Sequence, residues 1–177
     1  MSTRKSPHSA PSHHAVTAIK RILVATDFSV AAETALDNAV ALASTLGARI
    51  YLVHAYQLPV VGFPDGVLLT SAATASGIIT LAEKELAACV AKRSESSVEI
   101  VPILQQADPR EAVLAVAREV SADLVIMGTH GRQGLARAII GSVAESVVRT
   151  SPVPVMTVHA AASKDDTACE PGPSIRP

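Results

Sequence analysis

Short β-branched runs alternating with amphipathic helical patterns constrain this chain more than any other feature. The runs are Arg21–Ala25, Arg49–Val53, Val98–Leu104, Leu124–Met127 and Val153–Val158. The second and fourth are apolar nearly throughout, as expected of strands covered on both faces. Between the first two, Ala32, Ala35, Leu36, Ala39, Val40 and Ala43 recur at the spacing of one helix face. Ser29 is the expected N-cap of that helix and Gly47 its expected stop. A second helix places Ile78, Leu81, Ala82, Leu86, Cys89 and Val90 on one face. A third opens at Asp108-Pro109-Arg110-Glu111, with an N-cap acid and Pro at the first helical position. The fourth opens at Ser142-Val143-Ala144-Glu145, which reads as a capping box with Ser142 as N-cap. Strict alternation of strand and helix implies right-handed crossovers. The fold class is therefore α/β, a doubly wound five-stranded parallel sheet with helices on both faces.

Residues 19–160 read as one domain. The flanking segments 1–18 and 161–177 are rich in Ser, Pro, His and charge, and are expected to be disordered because they cannot bury enough to offset the entropy of ordering. Gln57 to Thr70, with Pro59, Gly62, Pro64 and Gly66, reads as a long irregular connection inside the second crossover. Ser151-Pro152-Val153-Pro154 confines the last strand to a sheet edge, because proline cannot donate to a ladder. The apolar edge that follows, Val155-Met156-Thr157-Val158, calls for a partner, and a second copy of the chain is the simplest one.

Composition removes several function classes. Aromatic residues make up 2% of the 177 residues, against 49% hydrophobic overall, so the core is aliphatic and no base-stacking platform is available. The net charge is −1 with no block of Lys or Arg, which leaves no electrostatic footprint for nucleic acid. No stretch approaches ~18 consecutive apolar residues, so no membrane span is expected. Met1 to His14 lack an apolar core of the secretory type, and a cytoplasmic location is expected. Cys89 and Cys169 make neither a disulfide framework nor a zinc site.

In a doubly wound sheet the ligand sits beyond the carboxyl ends of the strands, where the connections diverge. The first strand ends in Ala25-Thr26-Asp27-Phe28-Ser29. The fourth runs into Met127-Gly128-Thr129-His130-Gly131-Arg132-Gln133-Gly134, and a helix follows Gly141-Ser142. Four of the nine glycines, Gly128, Gly131, Gly134 and Gly141, lie in this one connection. Glycine permits close backbone approach and lets successive amides cradle an anion, and a helix N-terminus favours phosphate. Asp27 lies across the switch point, where an acid accepts from a ribose hydroxyl or helps hold a metal ion. There is no G-x-x-x-x-G-K-[ST], no G-x-G-x-x-G after the first strand and no G-x-S-x-G.

These residues resemble the universal stress protein family over roughly Ile19 to His159. The specific core of the resemblance is the spacing Gly, two residues, Gly, nine residues, Gly-Ser, here Gly128, Gly131, Gly141 and Ser142. Thr26-Asp27-Phe28-Ser29, Val53-His54-Ala55, Gly141-Ser142-Val143-Ala144-Glu145 and Pro152-Val153-Pro154-Val155 also look like the family. The resemblance implies a flavodoxin-like sheet of strand order 3-2-1-4-5, a homodimer joined along the last strand, Val153–Val158, and an ATP site. By position it implies that Ala25, Thr26 and Asp27 line the adenosine side, with Asp27 on the ribose. Ala55 matches a position that packs on adenine and is often Val. Met127 and Gly128 would border the nucleoside, while Gly131, Gly141, Ser142, Val143 and Ala144 would meet the phosphates. Mg²⁺ or Mn²⁺ bridging the phosphates is implied as well.

Plainer readings stand beside these. Asp27 also serves to close a turn, and Ser142 is explained as an N-cap. His54 reads as a structural histidine of the sheet. His130, Arg132 and Arg137 either reach phosphate or form a solvated face. The expected function is an ATP-binding regulatory homodimer in stress response, with no catalytic residues and no protein metal site. The alternatives are a slow ATPase or phosphotransferase, for which no lysine clamp is present, and a nucleotide-free interaction module.

Overall fold

The computed structural model describes residues 18–63, 66–69, 71–129 and 141–159. Its elements, in chain order, are β1 (Arg21–Ala25), α1 (Val30–Leu46), β2 (Arg49–Tyr56), β3 (Val60–Phe63), β4 (Gly66–Leu69) and α2 (Ala72–Ala91). They continue with β5 (Ile100–Gln106), α3 (Pro109–Glu119), β6 (Leu124–Gly128), α4 (Ser142–Thr150) and β7 (Val155–Val158). Five strands pair in the order β5-β2-β1-β6-β7 and every pair is parallel. Counting only those five, the order is 3-2-1-4-5, as the family resemblance implied. The outer segments 1–17 and 161–177 lie outside the described residues.

Alternation along the central strands sends side chains to two separate cores. Ile22, Val24, Ile50, Leu52 and Ile126 face α1 and α2, where they meet Leu36, Ala39, Ala43, Leu86 and Cys89. Leu23, Val53, Val125 and Met127 face α3 and α4, against Val113, Val116, Ala117, Ala144 and Val147. Alanines on the inner face of α1 let that helix lie close to the sheet, which suits a core without large rings.

Five local expectations are corrected. The stretch from Gln57 to Thr70 contains an antiparallel hairpin, β3–β4, in register from Val60↔Leu69 to Phe63↔Gly66. Its sequence signal is the β-forming pair Val60-Val61 and the run Val67-Leu68-Leu69 on either side of the turn-forming Pro64-Asp65-Gly66. β2 runs on to Tyr56, so His54 and Ala55 lie within the strand, and β5 sits two residues later than expected. Leu81 is 60% exposed; the buried residues of α2 are Ala82, Leu86 and Cys89. β7 begins at Val155, after both prolines, so Val153 precedes the ladder.

Polar contacts pin the start of the sheet. The backbone amides of Lys20 and Arg21 donate to Asp123 Oδ2 at 3.0 and 2.9 Å, and Arg21 Nη2 donates to Oδ1 at 3.1 Å. Burial by itself raises the Asp123 carboxyl; the Arg21 guanidinium and the two amides outweigh it and hold the group below its ordinary 3.8. Glu33 on α1 behaves alike. Burial raises it, and hydrogen bonds from Arg93, Lys92 and Cys89 bring it below its ordinary 4.5. Folded values below the unfolded ones mean that both groups contribute fully above their ordinary values, and that this contribution is lost as pH falls through the folded values. Resistance to urea is therefore expected to decline from about pH 4.5 downward. Asp123→Asn should cost about 1–3 kcal/mol at neutral pH and flatten that decline, measured by urea unfolding between neutral and acid pH.

The two edges of the sheet differ. Ile50 N donates to Glu99 O, which turns the odd-numbered residues of β5 toward β2 and leaves Pro102 facing outward. That edge lacks an amide at its middle. On β7, Val125 N donates to Pro154 O and Thr129 N to Val158 O, which leaves Val155 and Thr157 with their backbone groups on the outer side. Among the described residues β6 is the only strand partner of β7. Met156 of this edge strand is exposed, and so is Val148 of α4, the helix that precedes β7.

Candidate functional site

The strand order reverses direction between β1 and β6: β1 leads to α1 on one face of the sheet, and β6 leads to α4 on the other. The connections part there, which opens a crevice beyond the two strand ends. Ala25 is the last residue of β1 and half-buried. Thr26 is buried; its amide donates to Val53 O at 2.9 Å and its Oγ1 accepts from Phe28 N at 3.0 Å. Asp27 Oδ1 accepts from Ser29 N at 3.1 Å, so the turn-closing role is present. Ser29 then caps α1 as expected, its Oγ accepting from Ala32 N at 3.3 Å. Ala55 sits near the end of β2, next to Gln105 of β5.

On the other side of the crevice, Met127 is buried among the α3 and α4 side chains, so only its backbone borders the site. Gly128 packs against the first turn of α1: a Cβ there would lie 2.9 Å from the carbonyl carbon and the Cβ of Ala31. Thr129, which the sequence reading did not single out, is buried and organises the connection. Its amide donates to Val158 O at 2.9 Å, and its carbonyl accepts from Gly141 N at 2.6 Å. That second bond brings the two ends of the glycine motif together. The only sequence signal for Thr129 is its place directly after Gly128 at a strand end.

Gly141, not Ser142, is the N-cap of α4; Ser142 is its first helical residue. Glu145 does not reach back to the cap but pairs with Arg149 Nη2 at 2.7 Å. The capping-box expectation is therefore corrected: the Thr129 carbonyl holds Gly141 in the cap position. The first intrahelical bond runs from Glu145 N to Gly141 O. The amides of Ser142, Val143 and Ala144 thus have no partner inside the helix and form a donor set with the positive end of the dipole behind it. The Ser142 side chain is exposed, Val143 is half-buried, and Ala144 is buried with Val147. Gly131, His130, Arg132, Gly134 and Arg137 lie outside the described residues.

The described site holds one carboxylate, Asp27, and amide donors, a chemistry suited to a ligand with hydroxyls at one end and anionic oxygens at the other. Among the described residues no cluster of His, Cys, Asp or Glu is arranged to hold a metal ion, and no helix is long and apolar enough to cross a membrane. Cys89 lies away from the site. Burial and the neighbouring Glu33 push its thiol up to about 11, which makes it inert at neutral pH.

A sequence model of the universal stress protein family matches residues 18–159. The chain belongs to the universal stress protein family. Among curated relatives it is 31% identical over 142 residues to universal stress protein MJ0531 of Methanocaldococcus jannaschii, covering 78% of this chain and 81% of the relative. Its fold resembles the solved structure of MJ0577 from the same organism with a TM-score of 0.69 at 23% identity, over 83% of this chain and all of that one. It also resembles the universal stress protein from Archaeoglobus fulgidus solved in complex with dAMP, with a TM-score of 0.58 at 26% identity, over 80% of this chain and 99% of that one.

Proposed function

We propose that this universal stress protein binds an adenine nucleotide, ATP in the first instance, in the crevice between the ends of β1 and β6, and that it acts as a nucleotide-dependent regulatory homodimer in stress response, in the cytoplasm. The observation that carries the reading is the Thr129 O to Gly141 N bond. It sets the amides of Ser142, Val143 and Ala144 beside the end of β6, and Gly128 packs that end against the start of α1. Asp27 and the Ala25–Thr26 backbone then take the nucleoside, and the α4 amides take the phosphates. The Archaeoglobus fulgidus relative solved with dAMP supports an adenine nucleotide as the ligand class. An Mg²⁺ or Mn²⁺ ion fits the donor set: it would ride on the phosphates, with Asp27 the one carboxylate of the described site, and offset charge that no described cation of the site meets. The reading is of a site that holds a nucleotide rather than one that turns it over. Homodimerisation along β7 is supported by its open outer edge and by the exposed Met156 on it.

Nucleotide content of freshly purified protein, read by anion-exchange chromatography after denaturation, tests the reading. Near one ATP per chain is expected; an empty protein that also takes up no added Mg-ATP sinks it. Ser142→Pro sharpens the test. Proline is tolerated at the first helical position, and Gly141 at φ −57° and ψ 148° already has the conformation a following proline requires. The substitution removes one amide and leaves the helix. Affinity for Mg-ATP should fall about 10- to 100-fold, the worth of a hydrogen bond to a charged group, with little change in the urea midpoint. Wild-type affinity in this variant would remove the Ser142 amide from the site.

A further inference from the structure

We propose that His54 is a positioning residue for the nucleoside end of this site, holding the Thr26–Ser29 turn in the shape that carries Asp27; the inference rests on the nucleotide-binding reading. Phe28 has φ +63°, a left-handed conformation that a bulky L-residue keeps only where its surroundings enforce it. Three contacts enforce it here. Thr26 Oγ1 accepts from the Phe28 amide. The Phe28 ring lies on the His54 ring, with centroids 4.2 Å apart and planes tilted by 35°. His54 Nδ1 lies 2.8 Å from the Thr26 carbonyl oxygen, and because a carbonyl only accepts, Nδ1 carries the proton and donates.

β2 therefore grips Thr26 twice, through the Val53 carbonyl at its amide and through the His54 imidazole at its carbonyl. Asp27 follows directly, its backbone held between a tethered Thr26 and a strained Phe28. A histidine inside a strand would ordinarily read as a structural side chain. Here its contacts fall on the backbone of the site-bearing turn and on the one strained residue of that turn.

His54→Asn and His54→Leu separate this role from simple packing. The Asn amide places an N–H donor close to where Nδ1 sits, whereas Leu fills the space and donates nothing. Full-length proteins are titrated with Mg-ATP by calorimetry, and urea unfolding is recorded for each. His54→Leu is expected to lose about tenfold in affinity, the loss of one buried hydrogen bond, and His54→Asn to recover to within about threefold of wild type. Wild-type affinity in His54→Leu, or equal weakness in both variants at equal urea midpoints, overturns the proposal. If the unmodified protein takes up no Mg-ATP, the nucleotide reading has failed and the positioning role is read without ligand. Amide exchange at Phe28 and Ser29 should then quicken at least ~tenfold in His54→Leu and hold in His54→Asn, and equal rates in the two variants overturn it.

Discussion

Gly128→Ala should unfold at a clearly lower urea concentration than the wild type, at a cost of about 1–3 kcal/mol, although it adds a single methyl group. The added carbon would meet the carbonyl carbon and Cβ of Ala31 at 2.9 Å and its carbonyl oxygen at 3.1 Å. None of these is the end of a flexible side chain. The first turn of α1 must retreat instead, and its neighbours Ala32, Ala35 and Leu36 are buried against the sheet. Since ordinary domains are stable by only ~5–15 kcal/mol, the loss is a large share of the whole. Mg-ATP affinity should fall with it, because the retreating turn follows directly on Asp27 and Ser29. Gly77→Ala is the control. That glycine sits inside α2 with nothing within 4 Å of the added carbon, so the same substitution should stabilise by about 0.5–1 kcal/mol. Urea unfolding of the two variants must therefore differ in sign; a neutral Gly128→Ala would mean that the contact with Ala31 relaxes freely.

Thr157→Pro should convert the proposed dimer to monomers at micromolar concentration, as read by light scattering on a sizing column. Thr157 turns its amide to the outer side of β7, so proline there removes an edge donor without touching the ladder to β6. A two-fold interface uses each residue twice, so each dimer loses two donors and gains two rings at the seam. A weakening of at least ~100-fold, about 3 kcal/mol, follows. Met156→Pro is the contrasting variant, since the Met156 amide faces β6; it should lower stability in urea as well. A Thr157→Pro protein that remains dimeric would place the contact elsewhere.

Much of this architecture was legible because its signals are periodic. The apolar strand runs and the helix face from Ala32 to Ala43 set the element order, and the glycine spacing marked the connection beside the candidate site. The misreadings occurred where a tertiary contact decides. Ser142 has every local attribute of an N-cap, yet the Thr129 carbonyl takes the Gly141 amide and moves the cap one residue earlier. Leu81 belongs to the apolar face by periodicity, but how far a helix overhangs a sheet is not written in its own pattern. The hairpin at Val60–Leu69 was masked by the prolines and glycines around two short strands. At the candidate site, the strand ends and the helix start that carry these residues were legible and the side-chain directions were not. Met127 and Ala144 point into the core and offer only backbone, while the contacts of Thr129 and His54 are tertiary ones that no spacing reveals.

The outward-facing Pro102 has a consequence for how large an assembly can grow. A sheet with two receptive edges can add copies end to end without limit, and a head-to-tail contact that fails to close gives a filament. In this chain one edge has a proline at its centre and the other is intact. Pairing intact edge to intact edge about a two-fold axis uses up the receptive surface of both copies, and what remains exposed at either end is the blocked strand. In the proposed dimer, growth by strand addition then terminates at two.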